Sequence, residues 1–370
     1  MSRGLRKRDL SRDCLAGHTS MASRLGINYA ELAARRGGTS ELDERRHHGQ
    51  DIISKAPRIL YLAGFGRSGS TLLERLLGEL PGVCPAGEVV HMWQRGVRED
   101  ERCGCGEPFR GCPFWRQVGV AAFGGWDKFD VERVTRLRAM VDRSRFVPLL
   151  STAASRRIFL PGLDEYTKYY LRVYAAIAEV SKSDVVIDSS KHASLAYCLR
   201  SRSDLDLRVL HVIRDSRAVA YSWSRMVRRP ETIAETRMAT YSASTAAMRW
   251  NVQNGALQLL SRLGTPVLRM RYEDLMRDPG ARLREIAAFA GLPSQDTGPE
   301  FLHADGPDSW YADLGAAHTA SGNPMRFSTG RVAIRSDDRW RAAMLASNRR
   351  MVTTMTFPLL RRYGYLGSRS

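Results

Sequence analysis

Lysine is scarce in this chain: only six of its 57 basic residues are lysine, and the rest are arginine. It is also missing where it would matter most. The stretch Gly64-Phe65-Gly66-Arg67-Ser68-Gly69-Ser70-Thr71 sets Gly64, Gly69 and Thr71 in register with the triphosphate-binding loop GxxxxGK[ST], but Ser70 stands in the lysine position. In triphosphate-cleaving enzymes that lysine neutralises charge on the β- and γ-phosphates. A less highly charged anion is therefore expected here, held without that lysine. No apolar run approaches the roughly 18–20 residues of a membrane-spanning helix. The N-terminus is basic and polar and lacks the apolar block of a secretory signal, so a cytoplasmic protein is expected. The formal net charge of +18 would draw anionic ligands. No basic helix block and no ribonucleoprotein or zinc-finger signature accompanies it, so no nucleic-acid partner is expected. There is no internal repeat.

The chain has 370 residues, 43% of them hydrophobic, enough for one large α/β domain with insertions or two smaller ones. Residues 1–55 have weak periodicity and scattered arginines and are expected to form a mobile basic arm. Strands are predicted at Ile59–Ala63, Val185–Asp188, Leu207–Ile213 and Pro266–Met270. Helices are expected from Thr71 to about Glu79, from about Lys191, from about Ser216, over 233–263, over Pro279–Ala290 with Asp278 as cap, and from about Asp337 to Met355. Residues 81–130, rich in Pro, Gly, Cys and Trp, read as an irregular excursion, 131–182 as mainly helical and 294–336 as loop. Strands alternating with helices imply a parallel sheet, with ligands beyond the carboxyl ends of its strands.

The residues just after the strands carry the chemistry. A glycine-rich turn between strand and helix aims backbone N–H groups and a helix N-terminus at an anion. After the third strand, Arg214 and Ser222 can converge on a second phosphate.

Together these segments resemble the sulfotransferases that use 3′-phosphoadenylyl sulfate (PAPS). Gly66-Arg67-Ser68-Gly69-Ser70-Thr71-Leu72-Leu73 is similar to their 5′-phosphosulfate loop, and Arg214 with Ser222 to their 3′-phosphate motif. Arg271-Tyr272-Glu273-Asp274-Leu275 resembles their YEDL segment. His318 and Gly322-Asn323-Pro324-Met325-Arg326-Phe327 resemble a C-terminal cofactor loop. The resemblance implies a P-loop-like three-layer α/β fold with a central parallel sheet, covering residues 56–365, with an acceptor-side insertion at about 81–180. It implies PAPS as donor, adenosine 3′,5′-bisphosphate as product, and no metal in the mechanism. Gly66–Leu72, Arg214, Ser222, Gly322, Asn323 and Arg326 would then bind the donor. The family's motif often has proline two residues after its arginine; Ser216 stands there, which predicts a less rigid turn.

The histidine base of the small-molecule branch has no obvious counterpart. Glu88, placed like the base glutamate of the tyrosine and carbohydrate branches, is the expected base, followed by His91 and His192. Lys191 or Arg67 would stabilise charge on the departing oxygen. Tyr272, Glu273 and Asp274 are expected to be structural. Trp93, Trp115 and Trp126 line an acceptor site or form a minor core. Carbohydrate, lipid, polyketide and peptide acceptors all remain open. A rival reading makes Asp188 the Mg²⁺ ligand of a phosphoryl-transfer enzyme, and another makes the chain a non-catalytic anion-binding protein. Cys103, Cys105 and Cys112 lie in a Gly/Pro-rich loop. They read as a metal site needing one more donor, with Cys84 or His91 as candidates, as a disulfide, or as incidental thiols.

Overall fold

The structure is a computed structural model that describes residues 57–225, 239–293, 299–306 and 309–366. The expected arm at 1–55 lies outside the described residues. Five strands, β1 (Arg58–Ala63), β2 (Val83–Pro85), β3 (Val185–Lys191), β4 (Asp206–Ile213) and β5 (Val267–Arg271), pair in the order β2-β3-β1-β4-β5. Every pairing is parallel. The longer helices are α1 (Ser70–Gly78), α2 (Pro113–Phe123), α3 (Val131–Val141), α4 (Leu163–Ser181), α5 (Ala193–Leu199), α6 (Ser216–Ser224), α7 (Ala243–Arg262), α8 (Pro279–Ala290) and α9 (Ala346–Arg362).

The central strands are apolar throughout because both faces of the sheet are covered. Along β1, Ile59, Tyr61 and Ala63 enter a core shared with α2, α3, α4 and α5, while Leu60 and Leu62 enter one shared with α1 and α8. Alternation along one strand therefore feeds two cores, giving the expected three layers. Among the described residues, no helix is long and apolar enough to cross a membrane.

Four expectations change. The region read as irregular supplies β2, an edge strand too short to show a pattern and tolerant of Pro85 for that reason. The segment 294–336, read as loop, carries a three-stranded antiparallel sheet of β6 (Leu302–Ala304), β7 (Trp310–Leu314) and β8 (Gly330–Ile334). The helix expected from Lys191 starts at Ala193, because β3 runs on to Lys191 through a register shift opposite Tyr61 and Ala63. The final helix is split: Trp340–Ala343 precedes α9, which contains Pro358. Residues 233–238 of the helical expectation for 233–263 lie outside the described residues, and α7 begins at Ala243. Asp278 caps α8 as expected, accepting the Ala281 N–H at 2.9 Å.

Candidate active site

Beyond the carboxyl ends of β1, β3, β4 and β5 lies a cleft of about 1230 Å³. Single-ligand clefts are typically about 300–1,000 Å³, so this one is somewhat larger than one ligand needs. Its floor is the turn after β1. Gly69, at φ 86°, ends the turn where α1 starts; a Cβ there would meet the Tyr272 ring at 2.4 Å. A Cβ on Gly66 would stand 2.8 Å from the Trp223 ring, whose indole donates to the Gly66 carbonyl at 3.0 Å. Only glycine fits either place. Gly69 offers no side-chain cap to α1, so the first turn of the helix faces the cleft through Ser70, Thr71 and Leu72. Arg67 adopts φ 73°, a strained conformation for a side-chain-bearing residue, and its guanidinium lies 5.2 Å from the Trp223 ring centre.

Arg214 enters from the end of β4. It donates to the Arg67 carbonyl at 3.1 Å and to the Asp337 carbonyl at 3.0 Å, and stacks over Tyr272 at 4.4 Å. Where the family's motif often has proline, the next turn is tied by hydrogen bonds. Asp215 accepts the Arg217 N–H at 2.8 Å, and the buried Ser216 hydroxyl pairs with Thr356 of α9 at 2.8 Å. Glu273 joins this framework, accepting the Asp215 N–H at 3.2 Å and the Tyr365 hydroxyl at 2.6 Å.

The opposite wall holds an ion pair between Glu88 and Lys191. The bulge in β3 leaves Lys191 at φ 70°, where its ammonium reaches Glu88 and the Ser189 carbonyl at 3.1 Å. Burial works to raise the Glu88 carboxyl, but Lys191, His91 and Arg95 outweigh it and bring it down to about 2. Burial lowers both His91 and His192, and His91 lies 3.6 Å from Glu88. Cations dominate the lining, with Arg67, Arg95, Lys191, Arg214 and Arg249 against the carboxylates of Glu88 and Asp337.

Of the residues expected from sequence, Gly66, Arg67, Gly69, Ser70, Thr71, Leu72, Glu88, Lys191, Arg214, Ser222, Gly322 and Asn323 line this one cleft, as do His91 and His192. Ser68 does not; its hydroxyl turns back onto the Phe65 carbonyl at 2.7 Å. Arg326 does not line the cleft either. It is buried, donating to the Thr319 carbonyl at 2.7 Å and the Arg102 carbonyl at 2.5 Å, and so joins two loops rather than facing the cleft. His318 departs from the cofactor loop altogether and lies among Cys103, Cys105 and Cys112, the place expected for Cys84 or His91. Asp188 is buried outside the lining, accepting from the Tyr174 hydroxyl at 2.6 Å and the Ser190 N–H at 2.8 Å. Trp93, Trp115 and Trp126 form a buried core with Phe109, Phe123 and Phe129 and do not line the cleft.

Three contributors escaped the sequence reading. Glu74, buried on α1, accepts the Gly87 N–H at 2.6 Å and the Ser189 hydroxyl at 2.7 Å, so it ties the segments bearing Glu88 and Lys191 together. Its signal was an acid inside the apolar run Leu72-Leu73-Glu74-Arg75-Leu76-Leu77. Arg95 comes from the π-helical turn Met92–Arg98 and donates to Ser321 at 3.0 Å; such turns are often found at functional sites. Gln253 of α7 holds the Lys191 carbonyl at 2.6 Å. Neither Arg95 nor Gln253 had a distinguishing local pattern.

A parallel α/β sheet with a lysine-free glycine turn on the floor of a cationic cleft defines a P-loop-like α/β fold. Residues 57–303 match the family Sulfotransferase domain, and the chain belongs to that family. Over 174 residues it is 26% identical to human Carbohydrate sulfotransferase 3, covering 44% of this chain and 34% of that protein. The chain thus spans about a third of the length of that curated relative. Among solved structures, it resembles the Sulfotransferase Domain from the Synechococcus PCC 7002 Olefin Synthase, at 20% identity and TM-score 0.43, covering 83% of this chain and 96% of that one. It also resembles the Sulfotransferase Domain from the Curacin Biosynthetic Pathway, at 17% identity and TM-score 0.42, covering 82% and 99%.

Proposed function

We propose that this chain moves a sulfuryl group from PAPS to an acceptor hydroxyl or amine, leaving adenosine 3′,5′-bisphosphate. The observation that carries this reading is the meeting, in one cleft, of the glycine turn, Arg214 with Ser222, and the Glu88–Lys191 pair. The donor supplies the activated sulfuryl group; the protein binds, orients and moves a proton. Gly66 and Gly69 let the turn pack closely on the Trp223 and Tyr272 rings, and the N–H groups of the turn and first helical turn, with Arg67, suit a phosphosulfate there. Arg214, fixed by two carbonyls and a ring, and Ser222 suit the 3′-phosphate that distinguishes PAPS from ATP.

In the resting pair, Glu88 is a weak base because Lys191 holds it ionised. An anion in the cleft competes for the Lys191 ammonium. As that contact weakens, burial raises the carboxyl's proton affinity and Glu88 takes the acceptor proton through its Oε atoms. Lys191 then serves the departing oxygen. The acceptor is a carbohydrate or another small molecule bearing a hydroxyl, a reading supported by the likeness to human Carbohydrate sulfotransferase 3. No bound metal enters these steps. The phosphoryl-transfer alternative finds no support in Asp188, whose oxygens are occupied beneath the site.

The test is calorimetric titration with adenosine 3′,5′-bisphosphate beside ADP and ATP, with and without Mg²⁺. The expected result is tight, metal-independent binding of the bisphosphate, weakened by roughly 10–100-fold in Arg214→Ala. Preference for Mg²⁺–ATP would overturn the reading.

A further inference from the structure

We propose that Cys103, Cys105, Cys112 and His318 form a structural zinc site that clamps the acceptor-side insertion to the loop before Asn323. One ligand atom from each of the four residues falls within a cluster no wider than 4.8 Å. Cys105 and Cys112 are 3.8 Å apart at sulfur, and His318 Nδ1 lies 3.3 Å from Cys112 Sγ and 3.9 Å from Cys103 Sγ. A tetrahedron built on Zn–S bonds of about 2.3 Å and Zn–N bonds of about 2.0–2.1 Å has edges of roughly 3.6–3.8 Å. The three distances above bracket those edges, and the other ligand atoms lie within 4.8 Å of one another, close enough to gather around one ion. A disulfide would bring two sulfurs to about 2.05 Å; all three thiols are free.

The donor set selects the ion. Three soft thiolates and one imidazole in tetrahedral array favour zinc over the hard cations that seek oxygen ligands. With all four positions filled by protein and two of the cysteines buried, the site has no open position for a substrate, which is the mark of a structural centre. Binding releases one proton from each thiol to solvent and leaves the cluster with one net negative charge.

The surroundings hold the ligands in place. Cys103 lies in a tight turn, its N–H bonded to the Glu107 carbonyl at 2.8 Å and its carbonyl to the Gly106 N–H at 2.9 Å. Cys112 is the N-cap of α2, an 11-residue helix. Phe114 stacks on the His318 ring at 5.2 Å and 16°, and Trp115 donates to the His318 carbonyl at 2.9 Å. A Cβ on Gly104 would stand 2.4 Å from the Thr319 hydroxyl oxygen, so the two loops touch beside the cluster.

The clamp reaches the catalytic wall through backbone. Gly104 N–H bonds to the Thr319 carbonyl at 3.0 Å, Ala320 N–H to the Ala86 carbonyl at 2.9 Å, and Glu88 N–H to the Ser321 carbonyl at 3.2 Å. Zinc would thus position Glu88 without touching it. The inference does not depend on the choice of donor or acceptor.

The full chain, purified without chelators from zinc-supplemented medium and passed over a chelating resin, is analysed by elemental mass spectrometry and thiol titration. About one zinc per chain is expected, with Cys105 unreactive until a strong chelator is added despite its partial exposure. Cobalt substitution should give sulfur-to-metal charge-transfer absorption with tetrahedral d–d bands. Cys105→Ser and His318→Ala should each lose most of the metal. Because either variant can fail to fold, amide exchange of wild-type Ala317–Ser321 is measured before and after chelation, and faster exchange after chelation is expected. A folded, metal-free wild-type chain with reactive thiols and no cobalt spectrum would overturn the proposal, as would a Cys105–Cys112 disulfide or full metal retention in both variants.

Discussion

The floor and the wall of the cleft are built by opposite means. The floor from Gly64 to Leu72 follows strand β1 directly, its place set by backbone dihedrals and by α1, and only its Arg214 is held by distant groups, the Arg67 and Asp337 carbonyls. The wall is made of residues that gain their places from far away. Glu88 is aligned by the Ser321 carbonyl, by Glu74 through Gly87, and by Lys191, 103 positions along the chain. A floor made by local geometry suits an invariant donor. A wall made by long-range contacts can be remodelled for different acceptors without disturbing the floor.

The difference predicts separable losses. The largest effect belongs to the wall: Glu88→Gln should lower kcat by roughly 10²–10⁴-fold while leaving bisphosphate affinity within a few-fold, as measured by steady-state kinetics beside calorimetry. Equal loss of both quantities would erase the distinction between floor and wall. Gly69→Ala strikes the floor. It combines a positive φ of 86° with a 2.4 Å clash against Tyr272, and strain of about 1–3 kcal/mol is expected. Bisphosphate binding should fall about 10-fold or more, while the wall's Glu88–Lys191 pair stays intact; an unchanged dissociation constant would show that the turn does not hold the ligand.

The smallest effect is on stability. Burial, partly offset by Ser189, Lys191 and Gly87, raises the Glu74 carboxyl from an ordinary 4.5 to about 7. Between those two values the folded chain holds a proton that the unfolded chain has released, so this residue makes stability fall as pH rises across that window and then level off. Glu74→Gln cannot ionise, and its melting temperature should lack that decline relative to the parent. An identical pH profile for the two proteins would place the titration elsewhere.

Much of the floor was legible because a glycine turn between an apolar strand and a helix is encoded in adjacent residues. The same is true of Arg214, one residue past β4, and of the Asp278 cap. Glu88 and Lys191 could be named as candidates, but their pairing could not, since it depends on a bulge in β3. Arg326 and His318 show the reverse failure. Their segment matched a cofactor-loop pattern, yet packing buried one between two carbonyls and delivered the other to three cysteines. The three-residue strands β2 and β6 left no periodicity to read, because so short a run cannot establish one.

The sequence by itself determined the parallel α/β plan, the glycine turn without its lysine, and the places of Arg67 and Arg214 beside it. Each of these is written in neighbouring residues, where dihedral preference and apolar patterning act locally. Tertiary structure alone decided that Glu88 meets Lys191, that Glu74 braces both, and that His318 completes the cysteine cluster. Those contacts join segments between 13 and 215 positions apart, and such distances are set by how the layers pack.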